Sequence, residues 1–206
     1  MTPFREPRPE EAAWLSSLRL RLPHAPLVLV TPLAAAPWRA LPALHAGGPP
    51  VVWAQEVLIG LAPTLGEEMG RDALRRIAGL LRGAAVRRPV VAGALHRVVR
   101  ASPPIGQVRH LAKSLNVARE TLYGHWAAAF GSGLTPKELL EWVVLLRALS
   151  SGETTPIRMG AVVGVDARTL ERLCRRRLGV TLAKAREDGI APVASAFGER
   201  VSRLLG

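Results

Sequence analysis

Residues 115–122 read Leu-Asn-Val-Ala-Arg-Glu-Thr-Leu, and 48 residues later 163–170 read Val-Gly-Val-Asp-Ala-Arg-Thr-Leu. At this offset Val117 matches Val165, Thr121 matches Thr169, Leu122 matches Leu170 and Gly131 matches Gly179. Each copy has a short apolar-periodic helix, a tight turn at Asn116 or Gly164, and a second helix that ends at glycine. That is the layout of a helix-turn-helix, whose second helix can lie in the DNA major groove. No other feature restricts the fold as much, because two such units require a helical C-terminal half.

In the first unit, over 105–131, Ile105, Val108, Leu111, Ala112 and Leu115 fall on one helical face. Leu122, Trp126 and Phe130 then recur at i, i+4 and i+8, the inward stripe of the second helix. Arg119, Glu120, Tyr123 and Gly124 are left outside, with His125 at the margin. The regular inward spacing of Trp126 and Phe130, and Trp142 beyond them, marks core aromatics rather than stacking platforms for single strands.

In the second unit, over 154–179, Thr154 or Thr155 is the expected N-cap, with Pro156 at the first helical position. Met159, Val162 and Val163 supply its apolar face, and Gly164-Val165 the turn. Asp166 is the expected cap of the second helix, and Leu170, Leu173, Cys174 and Leu178 its inward face. Ala167, Arg168, Glu171, Arg172 and Arg175 remain outside. Between the units, Pro136 opens a helix that is apolar nearly all round from Leu139 to Leu149, as expected for a segment buried between two subdomains.

At this point the chain resembles the AraC-type (AraC/XylS) transcription regulators over residues 103–187. The resemblance rests on two units joined by a long helix, Gly-x-x-Leu-Thr-Pro from Gly131 to Pro136, and Leu-Gly-Val-Thr from Leu178 to Thr181. It implies two recognition helices in adjacent major-groove segments on one face of double-stranded DNA. By position it implies base-reading sites at Glu120, Tyr123 and Gly124, with Arg119 alongside, and at Ala167, Arg168, Thr169 and Arg172. Three residues depart from the family's pattern: Ala118 stands where a capping Ser is usual, Gly124 where a long polar residue is usual, and Gly160 where Ala is usual.

The formal charge of +12 suits a polyanionic partner. Only Lys113, Lys137 and Lys184 are lysines. Arginine forks match phosphates and guanine edges, although a GC-rich genome would produce the same bias. The halves do not differ in net charge, +6 for residues 1–100 and +6 for 101–206. Placement differs, because Arg172, Arg175, Arg176 and Arg177 crowd one helix end. Arg168 and Arg172, at i and i+4, suit base or phosphate contact, the alternative being solvated pairs with Glu171 or Asp166. Arg175 and Arg176 suit phosphate, as Arg109 and Lys113 suit the backbone or solvent.

The N-terminal part reads differently. A Pro-rich lead and a short helix over Glu10–Leu22 fill residues 1–25. Within 26–101, apolar runs at Pro26–Thr31 and Val51–Ala54 flank a helix-like stretch, Ala36–Ala46, the order of a small βαβ unit with parallel strands. That order resembles part of a receiver domain, truncated to a pseudo-receiver: where a receiver's strand ends at a phosphorylated Asp, Thr31 follows the strand here, and no acid occurs between Glu11 and Glu56. That argues against phosphotransfer. Two helical stripes follow, Leu74, Ile77, Ala78, Leu81 and then Val91, Leu95, Val98, Val99, separated by Gly83–Pro89. Ser102-Pro103-Pro104 marks a boundary, and 188–206 reads as a tail helix.

The expected fold is therefore mainly α: a tandem helix-turn-helix domain with a small N-terminal α/β and helical region for dimerisation or signal input. The expected function is sequence-specific transcription regulation, the alternative an interaction protein with weak, non-specific DNA binding. Expected partners are double-stranded DNA, a second copy through the N-terminal region, and RNA polymerase or another regulator, with no membrane. The longest uncharged stretches, Leu22–Trp38 and Ala40–Gln55, are broken by prolines and fall short of the roughly 18 apolar residues a membrane helix needs. The single Cys174 fits a reducing compartment, so a cytoplasmic, nucleoid-associated protein is expected. The five His form no metal-ligand spacing with Cys174, and no catalytic grouping or cofactor loop stands out, so neither an enzyme nor a cofactor is expected.

Overall fold

Helix periodicity and proline placement lay out most of what the computed structural model describes, which is residues 29–31, 51–53, 57–85 and 87–205. The chain divides into two compact units, one through Glu68 and one from Met69 to Gly206.

In the first unit, β1 (Leu29–Thr31) pairs in parallel with β2 (Val51–Trp53), with Leu29 opposite Val51 and Thr31 opposite Trp53. A parallel pair needs a crossover connection. The helix expected over 36–46 and the one over Glu10–Leu22 lie outside the described residues. The described chain is mainly helical, and it does not support a receiver-like unit.

Helix α1 (Val57–Ala84) and helix α2 (Pro89–Arg100) follow, the break falling in the expected Gly83–Pro89 segment. Pro89 is tolerated at the start of α2, where its missing N–H would have no helical partner. Then come α3 (Val108–Ser114), α4 (Arg119–Phe130), α5 (Pro136–Ser150), α6 (Pro156–Val163), α7 (Ala167–Leu178), α8 (Leu182–Asp188) and α9 (Ile190–Leu205). Thr135, Thr155 and Thr181 each accept a backbone N–H at a helix start, from Glu138, Arg158 and Lys184.

One apolar cluster runs from Leu74 to Val201 through all of these helices. Helix α5 is its axis, with Leu139, Leu140, Val143, Val144, Leu145 and Leu146 buried. Two expected boundaries are corrected by this packing. The core does not stop at Ser102-Pro103, because Val91, Ala94, Leu95 and Val98 of α2 are buried and α2 packs on α3 and α4. Nor is 188–206 a tail, because Ile190, Val193, Phe197 and Val201 of α9 are buried. Phe197 stacks on Trp142 of α5 at 5.2 Å and 6°. An amphipathic helix must cover its apolar stripe, and here both stripes close on the same core. Among the described residues no helix is long and apolar enough to cross a membrane.

Candidate nucleic-acid interface

The two units repeat in three dimensions with the period of the sequence. Both boundaries of α4 recur in α7 48 residues later, and each helix has 12 residues. The turns match as well. Asn116 and Gly164 both take left-handed backbone, at φ 55° and 70°. Val117 N–H donates to Ala112 O at 3.1 Å, and Val165 N–H donates to Gly160 O at 3.0 Å. Only glycine, and less easily Asn, adopts that conformation at low cost.

The second turn is the tighter one. A methyl group on Gly160 would overlap the Val165 carbonyl oxygen, whereas the matching position in the first unit carries Ala112. Gly160 is therefore a packing requirement in this chain. Its neighbour Val162, expected inside, is 43% exposed, because the buried face of α6 is set by Met159 and Val163, one turn apart.

The caps separate the heads. Asp166 Oδ1 accepts Thr169 N–H at 2.7 Å, and its Oδ2 accepts the Thr169 hydroxyl at 2.8 Å. The backbone N–H, and after it the hydroxyl, holds the Asp166 carboxyl below its ordinary value. Thr169, a candidate base contact, thus spends its hydroxyl on the cap. Ala118 has the same extended backbone, φ −67° and ψ 152°, and makes no side-chain cap.

Both inward stripes are as expected. Leu122, Trp126 and Phe130 are buried, and the Trp126 indole N–H donates to Leu134 O at 2.7 Å. In α7, Leu170, Leu173 and Cys174 are buried and Leu178 is half-buried. Burial pushes the Cys174 thiol up to about 11, with Glu171 adding to it.

Facing outward on α4, Arg119 and Glu120 are exposed, and the Arg119 guanidinium sits 5.5 Å from the ring centroid of half-buried Tyr123. Gly124 is exposed and faces open space. On α7, Arg168 and Arg172 are exposed one turn apart, with no acid partner among the described residues, and Ala167 is half-buried beside them. Arg175 differs: its Nε lies 2.6 Å from Glu171 Oε1, although its side chain stays 67% exposed. Glu171 also accepts Leu182 N–H at 2.9 Å, so it ties α7 to the start of α8. Arg175 first, then that N–H, keeps the Glu171 carboxyl below its ordinary range.

Arg176 turns the other way. It donates to Glu141 Oε1 at 3.0 Å. Arg177 Nε donates to Glu141 Oε2 at 2.9 Å, and Arg177 Nη1 lies 3.2 Å from Glu138 Oε1. Arg200 of α9 completes the cluster, donating to Glu138 Oε1 at 2.9 Å and to the Gly133 carbonyl. Sequence reasoning passed over Glu138, Glu141 and Arg200, and placed Arg177 only among the arginines at one helix end. The available signal was two acids one turn apart in an otherwise apolar helix, which must meet cations if they are buried.

Comparison with protein-family models, curated proteins and solved structures gives no match. What the surface can do must be read from its own chemistry. Two equivalent helices each offer a short polar face, and only α7 offers two unpaired guanidinium groups on it. A planar fork of that kind can bond guanine O6 and N7 together.

Proposed function

We propose that this chain is a sequence-specific, double-stranded-DNA-binding transcription regulator of the AraC type. The observation that carries the reading is the equivalence of α3-turn-α4 and α6-turn-α7: the starts of α3 and α6 and both ends of α4 and α7 recur at the period of the sequence repeat. Arg168 and Arg172, without an acid partner among the described residues, support base contact from the outer face of α7. Arg119, Glu120 and Tyr123 on α4, with Ala167 and Thr169 on α7, complete the candidate surface. Arg175 and Arg176 contribute to phosphate to the extent that Glu171 and Glu141 release them. Two unlike heads in one chain favour an asymmetric site read at two groove segments about one helical turn apart.

Selection of binding sites from random duplexes tests the reading. Enrichment of a two-part motif is expected. Ala118 without a cap and Gly124 without a side chain favour a second reading, an interaction protein that binds DNA weakly. That reading requires no enrichment and a steep salt dependence. The partners proposed for the N-terminal region, a second copy or RNA polymerase, would join through residues 1–101.

A further inference from the structure

The net charge of +12 is not spread over the chain in the way its two halves indicate. Residues 69–137 hold 12 Lys plus Arg and only two acids, Asp72 and Glu120, a net +10. Residues 138–206 hold 11 Lys plus Arg and eight acids, a net +3. In that second segment Glu138, Glu141, Glu171 and Asp188 already occupy cations. Most of the net charge of residues 69–206 therefore lies in 69–137, on α1 to α4 and the links between them.

We infer that α2 and α3 form a phosphate-gripping surface that extends the duplex-DNA interface beyond the two recognition helices, through Arg97, Arg100, Arg109 and Lys113. This rests on the DNA-binding reading above and adds a part of the chain to it.

Placement supports it. Gly93, Arg97 and Arg100 fall at i, i+4 and i+7, one stripe of α2. The stripe begins against the turn of the first head: a methyl group on Gly93 would lie 3.3 Å from Leu115 Cδ2. Arg97 and Arg100 then continue it as exposed side chains, opposite the buried face formed by Val91, Ala94, Leu95 and Val98. Arg109 and Lys113 are exposed at i and i+4 on α3, against which α2 packs. None of the four has an ion-pair partner among the described residues.

The chemistry selects among polyanions. Trp126 and Phe130 are buried and Tyr123 is half-buried under Arg119, so this region offers no open stacking platform for single strands. The exposed large apolar side chains among the described residues are Met69, Leu80, Ile157, Val162 and Leu205, none of them on α2, α3 or α4, so nothing here would enter a bilayer. Unpaired arginine and lysine beside a helix-turn-helix suit duplex phosphates, which add affinity and register without reading sequence.

The test compares the full-length wild-type chain with R97Q/R100Q and with R75Q/R76Q, which removes two exposed charges from α1 instead. Binding to a labelled duplex is followed by fluorescence polarisation as salt is varied, and circular dichroism confirms that each variant is folded. The expected result is that R97Q/R100Q lowers the slope of log affinity against log salt by about two, weakens all duplex sequences by the same factor and leaves the selected motif unchanged. R75Q/R76Q should leave the slope near that of the wild type. An unchanged slope in R97Q/R100Q, or an equal loss in R75Q/R76Q, overturns the inference while the DNA-binding reading stands. So does loss of binding only to single-stranded RNA or to equimolar phosphatidylglycerol and phosphatidylcholine vesicles. If the wild-type chain binds no duplex at all, the DNA-binding reading fails and takes the inference with it.

Discussion

Glu141 of α5 and Arg177 at the end of α7 are held together by a charged hydrogen bond, Nε to Oε2, of 2.9 Å. The pair binds the second head to the axis of the core, and through Glu138 and Arg200 it reaches the Gly133 carbonyl that follows the first head. Glu141 is only 8% exposed, while Arg177 and Arg176 keep 20% and 43% of their side-chain surface. Removing the carboxylate takes the acid partner from Arg176 and leaves Arg177 with Glu138 alone. Solvent at Arg176 reduces the penalty, so Glu141→Ala should cost about 2 kcal/mol and Glu141→Gln less. Urea unfolding followed by circular dichroism measures both. A midpoint equal to wild type in Glu141→Ala would mean that the cluster is solvated and holds nothing.

Two glycines in the candidate interface should respond with opposite signs. Gly124 is exposed with open space around its missing Cβ, so Gly124→Ala should stabilise by about 1 kcal/mol through helix propensity. Gly160 lies under the Val165 carbonyl, and Gly160→Ala should destabilise by roughly 1–3 kcal/mol through overpacking. Thermal melts of the two variants check this. Equal shifts would show that the second turn can relax.

The caps predict a pH effect confined to the second head. Thr169 lowers the Asp166 carboxyl from its ordinary 3.8 in the folded chain, so the unfolded state binds the proton more readily. The resulting stability is present above the unfolded value and is lost as pH falls through the lower folded one. Asp166→Asn keeps a neutral cap. Melting temperatures of the two proteins from neutral pH down to about pH 2 should therefore converge in acid. A constant gap between them would remove the carboxylate from the account. Ala118→Ser, in a backbone already shaped for a cap, should raise stability by about 1 kcal/mol.

Cys174 is fully buried on the inward face of α7, and its thiol is pushed up to about 11. Thiolate is the reactive form, so a disulfide reagent near pH 8 should label native protein only as fast as the chain opens. Labelling that is fast and insensitive to denaturant would place this thiol at the surface.

On the outer face, Arg168→Ala and Arg172→Ala should each relax preference at particular base pairs, by roughly 1–3 kcal/mol of discrimination. Site selection with the variants reads this directly. An unaltered motif from both would leave α7 as a backbone binder.

The amino-acid sequence by itself determined the repeat and most of its local structure. The inward stripe from Leu122 to Phe130, the caps at Asp166 and Thr155 and the turns at Asn116 and Gly164 are local matters of period, capping and backbone freedom, so they can be read without a fold. Tertiary structure alone decided where the domain begins and ends, because the apolar faces of α2 and α9 reveal their partner only when α4 and α5 lie against them. It also decided which arginines are available. Arg172 and Arg176 lie one turn apart on α7, yet Arg172 faces solvent without an acid partner among the described residues, and Arg176 is bound to an acid 35 positions earlier. Charge is a property of the residue, whereas its neutralisation depends on contacts distant in sequence, and folding alone brings those together.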